Sequence, residues 1–210
     1  MNQYPIAVVV GSLRRDSFNR KLATAIAKLA PPEFSFNQIE IGDLPLYNQD
    51  DDANQAKSVK RLKGQIKAAR GLLFVTPEYN RSIPGVLKNA IDHASRPPGE
   101  NVWAGKPAGV LGVSIGVIGT AVAQQHLRNS LAYLDVPTLG QPEAFIHVRE
   151  GLFDASGDIR CGQQGIPARV DGPLRRLGEK ACRSMTEHSL YPRKRKFQKR
   201  RTLWLLILHF

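Results

Sequence analysis

The stretch Val8–Pro32, "VVVGSLRRDSFNRKLATAIAKLAPP", decides how the rest of the chain is read. The apolar run Ile6 to Val10 predicts a buried strand, and Leu22, Ile26 and Leu29 recur at helical spacing until Pro31 and Pro32 stop the helix. The link between them is a βα turn. A helix starting there points its unpaired amides, and the positive end of its dipole, into the turn, so an anion is the natural occupant. Gly11 lets the main chain approach closely, Ser12, Ser17 and Asn19 add neutral donors, and Arg14 or Arg15 adds charge-assisted bonds, a set that suits a phosphate monoester. The plainer alternative is that Ser17 is an N-cap and the arginines are solvated.

The pattern of that first unit repeats outward. "FSFNQIEI" (34–41) alternates as a strand, "LPLYNQDDDANQ" (44–55) reads as a polar loop, and Ala56 to Arg70 as a charged amphipathic helix. "GLLFVTPEYN" (71–80) is a buried strand entering a loop, Pro84 to Ser95 a helix, "KPAGVLGVSIG" (106–116) a glycine-rich strand, Gly119 to Leu134 a fourth helix and "EAFIHV" (143–148) a last strand. Alternation of this kind predicts a doubly wound α/β fold, a parallel sheet with helices on both faces. Ligands of such sheets bind beyond the carboxyl ends of the strands, where strand order reverses. Three loops leave those ends with unusual residues: "GSLRRDSFN" (11–19), "TPEYNRSIPG" (76–85) and "SIGVIGTA" (114–121).

The first loop lacks both the GxGxxG dinucleotide fingerprint and the GK[ST] of a nucleoside triphosphate loop, so it suits the single phosphate of a mononucleotide. In the second, Pro77 and Pro84 stiffen the ends, the peptide groups between can pair with a flat heterocycle, and Tyr79 offers a ring face or edge. Glu78 stands alone, with no nucleophile or metal ligand near it in sequence, which argues against a general base. Asn80 and Arg81 are open between a ribityl chain, a second substrate and plain solvation. In the third loop the small residues admit another edge of the ring, or let a strand pack closely. His93 and His126 have no second ligand at i+3 or i+4 and read as packed or surface histidines.

"GSLRRDSFNRKLA", "TPEYNRSIPGVLKNAIDHASRP" and "GVIGTAVAQQHLRNSLAYLD", in register from about Ile6 to Asp158, resemble the NADPH-dependent FMN reductase family, in particular its chromate and quinone reductase branch. The resemblance implies a flavodoxin-like five-stranded parallel sheet of order 2-1-3-4-5, bound FMN, and a homodimer or homotetramer. It implies that Ser12, Arg14, Ser17 and Asn19, with the main chain of Phe18, hold the FMN phosphate. It further implies that Pro77, Glu78, Tyr79 and Asn80 lie against the ring and ribityl groups, and that Ser114 is the third-loop contact. Hydride from NADPH or NADH would pass through FMN to small-molecule acceptors such as quinones, flavins, azo compounds or chromate, with donor and acceptor sharing one exposed face and no catalytic side chain assigned. Trp103 is expected to anchor a loop, and "HASRPPGENVW" (93–103) to face a partner subunit. The alternative within this fold is a flavodoxin-type electron carrier without its own NAD(P)H activity.

Composition bounds these readings. With 210 residues, 42% of them hydrophobic, the chain suits one globular domain with a proper core. Met1 to Pro5 offers no basic start or apolar segment, and the two cysteines, Cys161 and Cys182, have no metal-like spacing, so a cytoplasmic protein without disulfides or metal is expected. The net charge of +12 divides unevenly: residues 1–160 carry +3 and residues 161–210 carry +9. The excess belongs to the tail, where "RKRKFQKRR" (193–201) would suit nucleic-acid phosphates but has no recognition fold behind it. "LWLLIL" (203–208) is too short to span a bilayer. No specific nucleic acid and no membrane are therefore expected as partners.

The chain thus divides into a flavodoxin-like FMN-binding reductase domain, 1–159, and an atypical basic tail, 160–210. An open sheet of this kind needs a last helix, yet "GIPARVDGPLRRLGEK" (165–180) has two prolines and no apolar stripe. Shifted by one base, with permitted codons, Gly165 to Cys182 can read "AFLQGWMDRYVAWVKKH", whose aromatic and aliphatic residues fall at helical spacing. Met185 followed by Thr186 must give TGA in that frame. Residues from about Arg160 onward are thus expected to be an out-of-frame extension, with a poorly packed tail, an under-covered sheet face and weakened stability or FMN retention. Sequencing the gene should show the shifted helix upstream of the TGA, with the slip near Ile159; a coding frame without that helix would contradict the expectation.

Overall fold

The structure, a computed structural model, describes residues 4–141 and 143–159. The frame, basic run and apolar end read into residues 160–210 lie outside the described residues. Five strands, β1 (Tyr4–Val10), β2 (Phe34–Ile39), β3 (Gly71–Val75), β4 (Ala108–Ser114) and β5 (Phe145–His147), form one parallel sheet in the order β2-β1-β3-β4-β5. Helices α1 (Phe18–Leu29), α2 (Lys57–Ala68), α3 (Gly85–Ser95) and α4 (Ala121–Tyr133) alternate with them. This is the flavodoxin-like arrangement. Chain direction across the sheet reverses between β1 and β3, whose last pair is Val10 with Val75.

The apolar strands are buried on both faces, as a sheet covered by helices requires. On one face α1 sends Leu22, Ala23 and Ile26 against Ile6, Val8, Leu73 and Leu111. On the other, Leu62 and Ile66 of α2, Leu87 and Ile91 of α3, and Leu127 and Leu131 of α4 cover Val9, Leu72, Phe74 and Val110. Among the described residues α1 is the only helix on its face. Trp103 is fully buried against Phe74 and donates its indole N–H to the carbonyl of Ile91 at 3.1 Å, so it fastens the loop after α3 as expected. His93 is packed, with Nε2 2.8 Å from the Pro45 carbonyl and its ring edge-on to Tyr47. The polar loop at 44–55 contains a single 3-10 turn, Gln49–Asn54, opened by the Asn48 side chain accepting from the Asp50 amide.

The carboxyl ends of the middle strands approach without room for a side chain. A Cβ on Gly112 would overlap the Thr76 carbonyl oxygen and the Thr120 hydroxyl, and one on Gly11 would lie 2.8 Å from Thr76 Oγ1. Gly64, inside α2, faces open space. Gly112→Ala should therefore lower unfolding free energy by about 2–3 kcal/mol, because main chain cannot move aside. Gly64→Ala should raise it by roughly 0.5–1 kcal/mol. Urea denaturation midpoints check both; equal effects would contradict this packing.

Candidate cofactor and substrate site

The three singled-out loops leave neighbouring strand ends and meet above the switch point. In the first, Ser17 caps α1, its hydroxyl accepting from the Arg20 amide at 3.3 Å. The first two helix amides, those of Phe18 and Asn19, have no acceptor among the described residues, and the hydroxyl of Ser12, a largely buried residue of the same turn, likewise has no partner there. Arg14 and Arg15 are exposed; the Arg14 guanidinium stands 6.0 Å from the Phe18 ring centroid, and Lys21 Nζ 5.9 Å from it. Free amides, a neighbouring hydroxyl and nearby cations at a helix start are the elements of an anion site.

Asn19 does something the sequence does not announce. Its side chain is buried and fully engaged with β4, donating from Nδ2 to the Val113 carbonyl at 2.9 Å and accepting the Val113 amide at 3.0 Å. The last β3–β4 pair is Val75 with Leu111, so Asn19 extends the ladder of β4 where β3 has ended. What Asn19 offers an anion is its main-chain N–H; its side chain fixes where the helix starts.

In the second loop the Glu78 side chain is only 9% exposed. One carboxylate oxygen, Oε2, accepts the amides of Val122 at 3.1 Å and Ala123 at 3.0 Å. Glu78 is therefore the N-terminal cap of α4, supplied from another loop, because Thr120 at the cap position makes no capping bond; its hydroxyl accepts instead from Gln124. This use ties the second loop to the third and gives Glu78 a structural role. Beyond it, Tyr79 and Ser82 exchange main-chain bonds of 3.0 Å around Asn80 and Arg81, whose φ values of 50° and 64° make a tight left-handed turn. Ser82 Oγ lies 3.0 Å from His126 Nδ1 on α4, so the exposed His126 braces the turn. Pro77 is partly buried and Tyr79 half exposed, and neither lines the cleft formed by the second and third loops.

The third loop runs from Ser114, whose hydroxyl accepts the Gly116 amide at 3.1 Å, through the exposed Val117 and Ile118 to Gly119. Gly119 has φ of +63°, and a Cβ there would press on the main chain of Phe145 and Ile146 at 2.8 Å, so this glycine serves the packing of β5. Glu78, Asn80, Arg81, Ser114, Val117 and Ile118 line a cleft of about 410 Å³, open to solvent, within the size range of small-molecule sites. Of the predicted residues, Glu78, Asn80 and Ser114 line this cleft, while Ser12, Arg14, Ser17, Phe18 and Asn19 lie in the first loop at the same end of the sheet, outside its lining. A flavin mononucleotide has a matching bipartite shape. Among the described residues there is no cluster of three or more metal-ligating side chains and no helix long and apolar enough to cross a membrane.

Comparison with known proteins agrees with this geometry. The profile of the NADPH-dependent FMN reductase family matches residues 4–150. A Burkholderia protein named 2-hydroxy-1,4-benzoquinone reductase is 59% identical over 154 residues, 73% of this chain and 84% of that protein. A quinone reductase of Escherichia coli is 39% identical over 180 residues, 83% of this chain and 93% of that protein. The solved structure of FerB, a flavoenzyme NAD(P)H:acceptor oxidoreductase from Paracoccus denitrificans, superimposes with a TM-score of 0.81 at 42% identity, covering 88% of this chain and 98% of that one.

The two hidden pins have measurable weight. Asn19→Ala, which strands a buried amide and carbonyl of Val113, should cost about 2–3 kcal/mol of stability, and Glu78→Ala, which strands two helix amides, about 1–3 kcal/mol. Chemical denaturation measures both, and losses below roughly 0.5 kcal/mol would show that the pins carry little.

Proposed function

The chain belongs to the NADPH-dependent FMN reductase family, and we propose that it passes hydride from NADPH or NADH to a quinone through FMN held at this site. The observation that carries the reading is the pairing of an anion cradle, at the amino end of α1, with a flat cleft at the same end of the sheet. When bound, FMN supplies the hydride chemistry, taking two electrons from a reduced nicotinamide and releasing them to the acceptor.

The residues of the chain bind, orient and screen. The amides of Phe18 and Asn19, the hydroxyls of Ser12 and Ser17 and the Arg14 guanidinium hold the phosphate. Asn80, with Ser114 from the third loop, would lie against the ring and its ribityl chain, with Pro77 and Tyr79 beside them in the second loop, and Glu78 keeps the second and third loops in register by capping α4. No side chain is required to move a proton in the hydride step, so no catalytic acid or base is assigned. In this proposal nicotinamide and acceptor take turns at one exposed face of the flavin. Free flavin, azo compounds and chromate are further acceptors in this proposal, as are a homodimer or homotetramer and a cytoplasmic location; these rest on the family resemblance.

Purified protein supplemented with FMN should keep the yellow flavin absorption after desalting, lose it on anaerobic addition of NADPH and regain it on addition of a quinone, without any partner protein. Initial rates with NADPH and quinone varied together should give parallel double-reciprocal lines. Intersecting lines would overturn the shared cleft, and a flavin that NADPH cannot reduce would turn the reading toward an electron carrier.

A further inference from the structure

Arg81 is the one cation among the residues lining the cleft, and its setting is unusual in three ways. Its backbone has φ of +64° at a turn position where glycine is strongly favoured, a conformation that costs an arginine free energy and that other residues would avoid. Strain retained in an open loop is a reason to look for a use. The root of the side chain is nonetheless fixed, because the turn is closed by the paired bonds of Tyr79 and Ser82 and braced on α4 by His126, while Glu78 pins the loop one turn earlier.

The head of the side chain is free. Its nearest carboxylate is Glu78, at 3.7 Å through a single nitrogen, and the other oxygen of that carboxylate is already committed to two α4 amides. At 70% exposure the pair is weak, and the guanidinium makes no hydrogen bond to another described residue. A cation on a fixed root, with most of its N–H donors unused, faces a cleft whose opposite wall is the apolar Val117 and Ile118. That combination accommodates a flat ring carrying one ionised oxygen.

We propose that Arg81 is a specificity residue that receives the anionic oxygen of the acceptor, so that the preferred acceptors are hydroxyquinones, ionised because a hydroxyl on a quinone ring is a vinylogous carboxylic acid. The inference rests on the quinone reading above and adds to it the charge of the acceptor and the residue that reads it. A planar guanidinium meets such an oxygen and the adjacent carbonyl together, the geometry in which arginine is most selective.

The test uses the FMN-loaded full chain with NADPH and a matched pair of acceptors, 2-hydroxy-1,4-naphthoquinone and 1,4-naphthoquinone, at pH 7, in the unaltered protein, Arg81→Asn and Arg81→Lys. Asparagine tolerates the left-handed backbone and removes the charge; lysine keeps it. Intrinsic reactivity of the two quinones cancels when the ratio of their kcat/KM values is compared between proteins. The proposal expects that ratio to fall about tenfold in Arg81→Asn and by clearly less in Arg81→Lys, which keeps the charge but loses the planar fork. An unchanged ratio in Arg81→Asn overturns it, as does an equal fall in both variants, which would report loop distortion. A loss confined to kcat/KM for NADPH would instead assign the guanidinium to a phosphate of the hydride donor and also overturn it. Reduction of neither quinone by the unaltered protein would defeat the quinone reading itself, whereas reduction of both with no dependence on Arg81 would defeat this inference alone.

Discussion

The site depends on how closely three strand ends approach one another. Thr76, at the end of β3, lies between Gly11 after β1 and Gly112 in β4, and neither glycine could carry a methyl group without displacing it. Gly119 makes the corresponding approach to β5. Gly112 meets the Thr76 carbonyl and Gly119 the main chain of β5, contacts that set loop positions with little freedom to relax, while Gly11 abuts the Thr76 side chain. The cradle and the cleft share one end of the sheet, over strands packed at this minimum separation.

Side chains then lock the loops to one another. Asn19 joins the first helix to β4, and Glu78 joins the second loop to α4; each satisfies two main-chain groups in buried or nearly buried surroundings. Such bonds contribute modestly when made and cost more when broken, so they favour one arrangement over its alternatives. A flavin entering this site meets walls already in place, and its binding free energy is not spent on ordering them. The arrangement also explains why a carboxylate at the heart of the second loop need not do acid–base work.

The strands and helices were legible because burial on both faces leaves unbroken apolar runs and helices leave a 3.6-residue rhythm; the Val8–Pro32 unit shows both, and its prolines mark the end of α1 at Leu29. The order 2-1-3-4-5 came with the family resemblance, whereas the alternation itself put the three loops at the carboxyl ends of the strands. Other features left no local trace. The Asn19 clasp spans 94 residues and the Glu78 cap 44 and 45, so no spacing rule finds them. The left-handed turn at Asn80–Arg81 lacks the glycine by which such turns are recognised, and the 3-10 turn at Gln49–Asn54 lies in a stretch whose acidic residues read equally as loop. Thr120 occupies the cap position of α4, yet the helix takes its cap from Glu78, 44 and 45 residues away.

The central claim is that the amino end of α1 exists to hold a phosphate belonging to a flavin. Calorimetric titration of flavin-free protein with FMN and with riboflavin, which shares the ring and ribityl chain but has no phosphate, tests it directly. The account predicts that FMN binds at least about 100-fold more tightly, since two free amides, two hydroxyls and an arginine act on the phosphate alone. Equal affinity for riboflavin would contradict it.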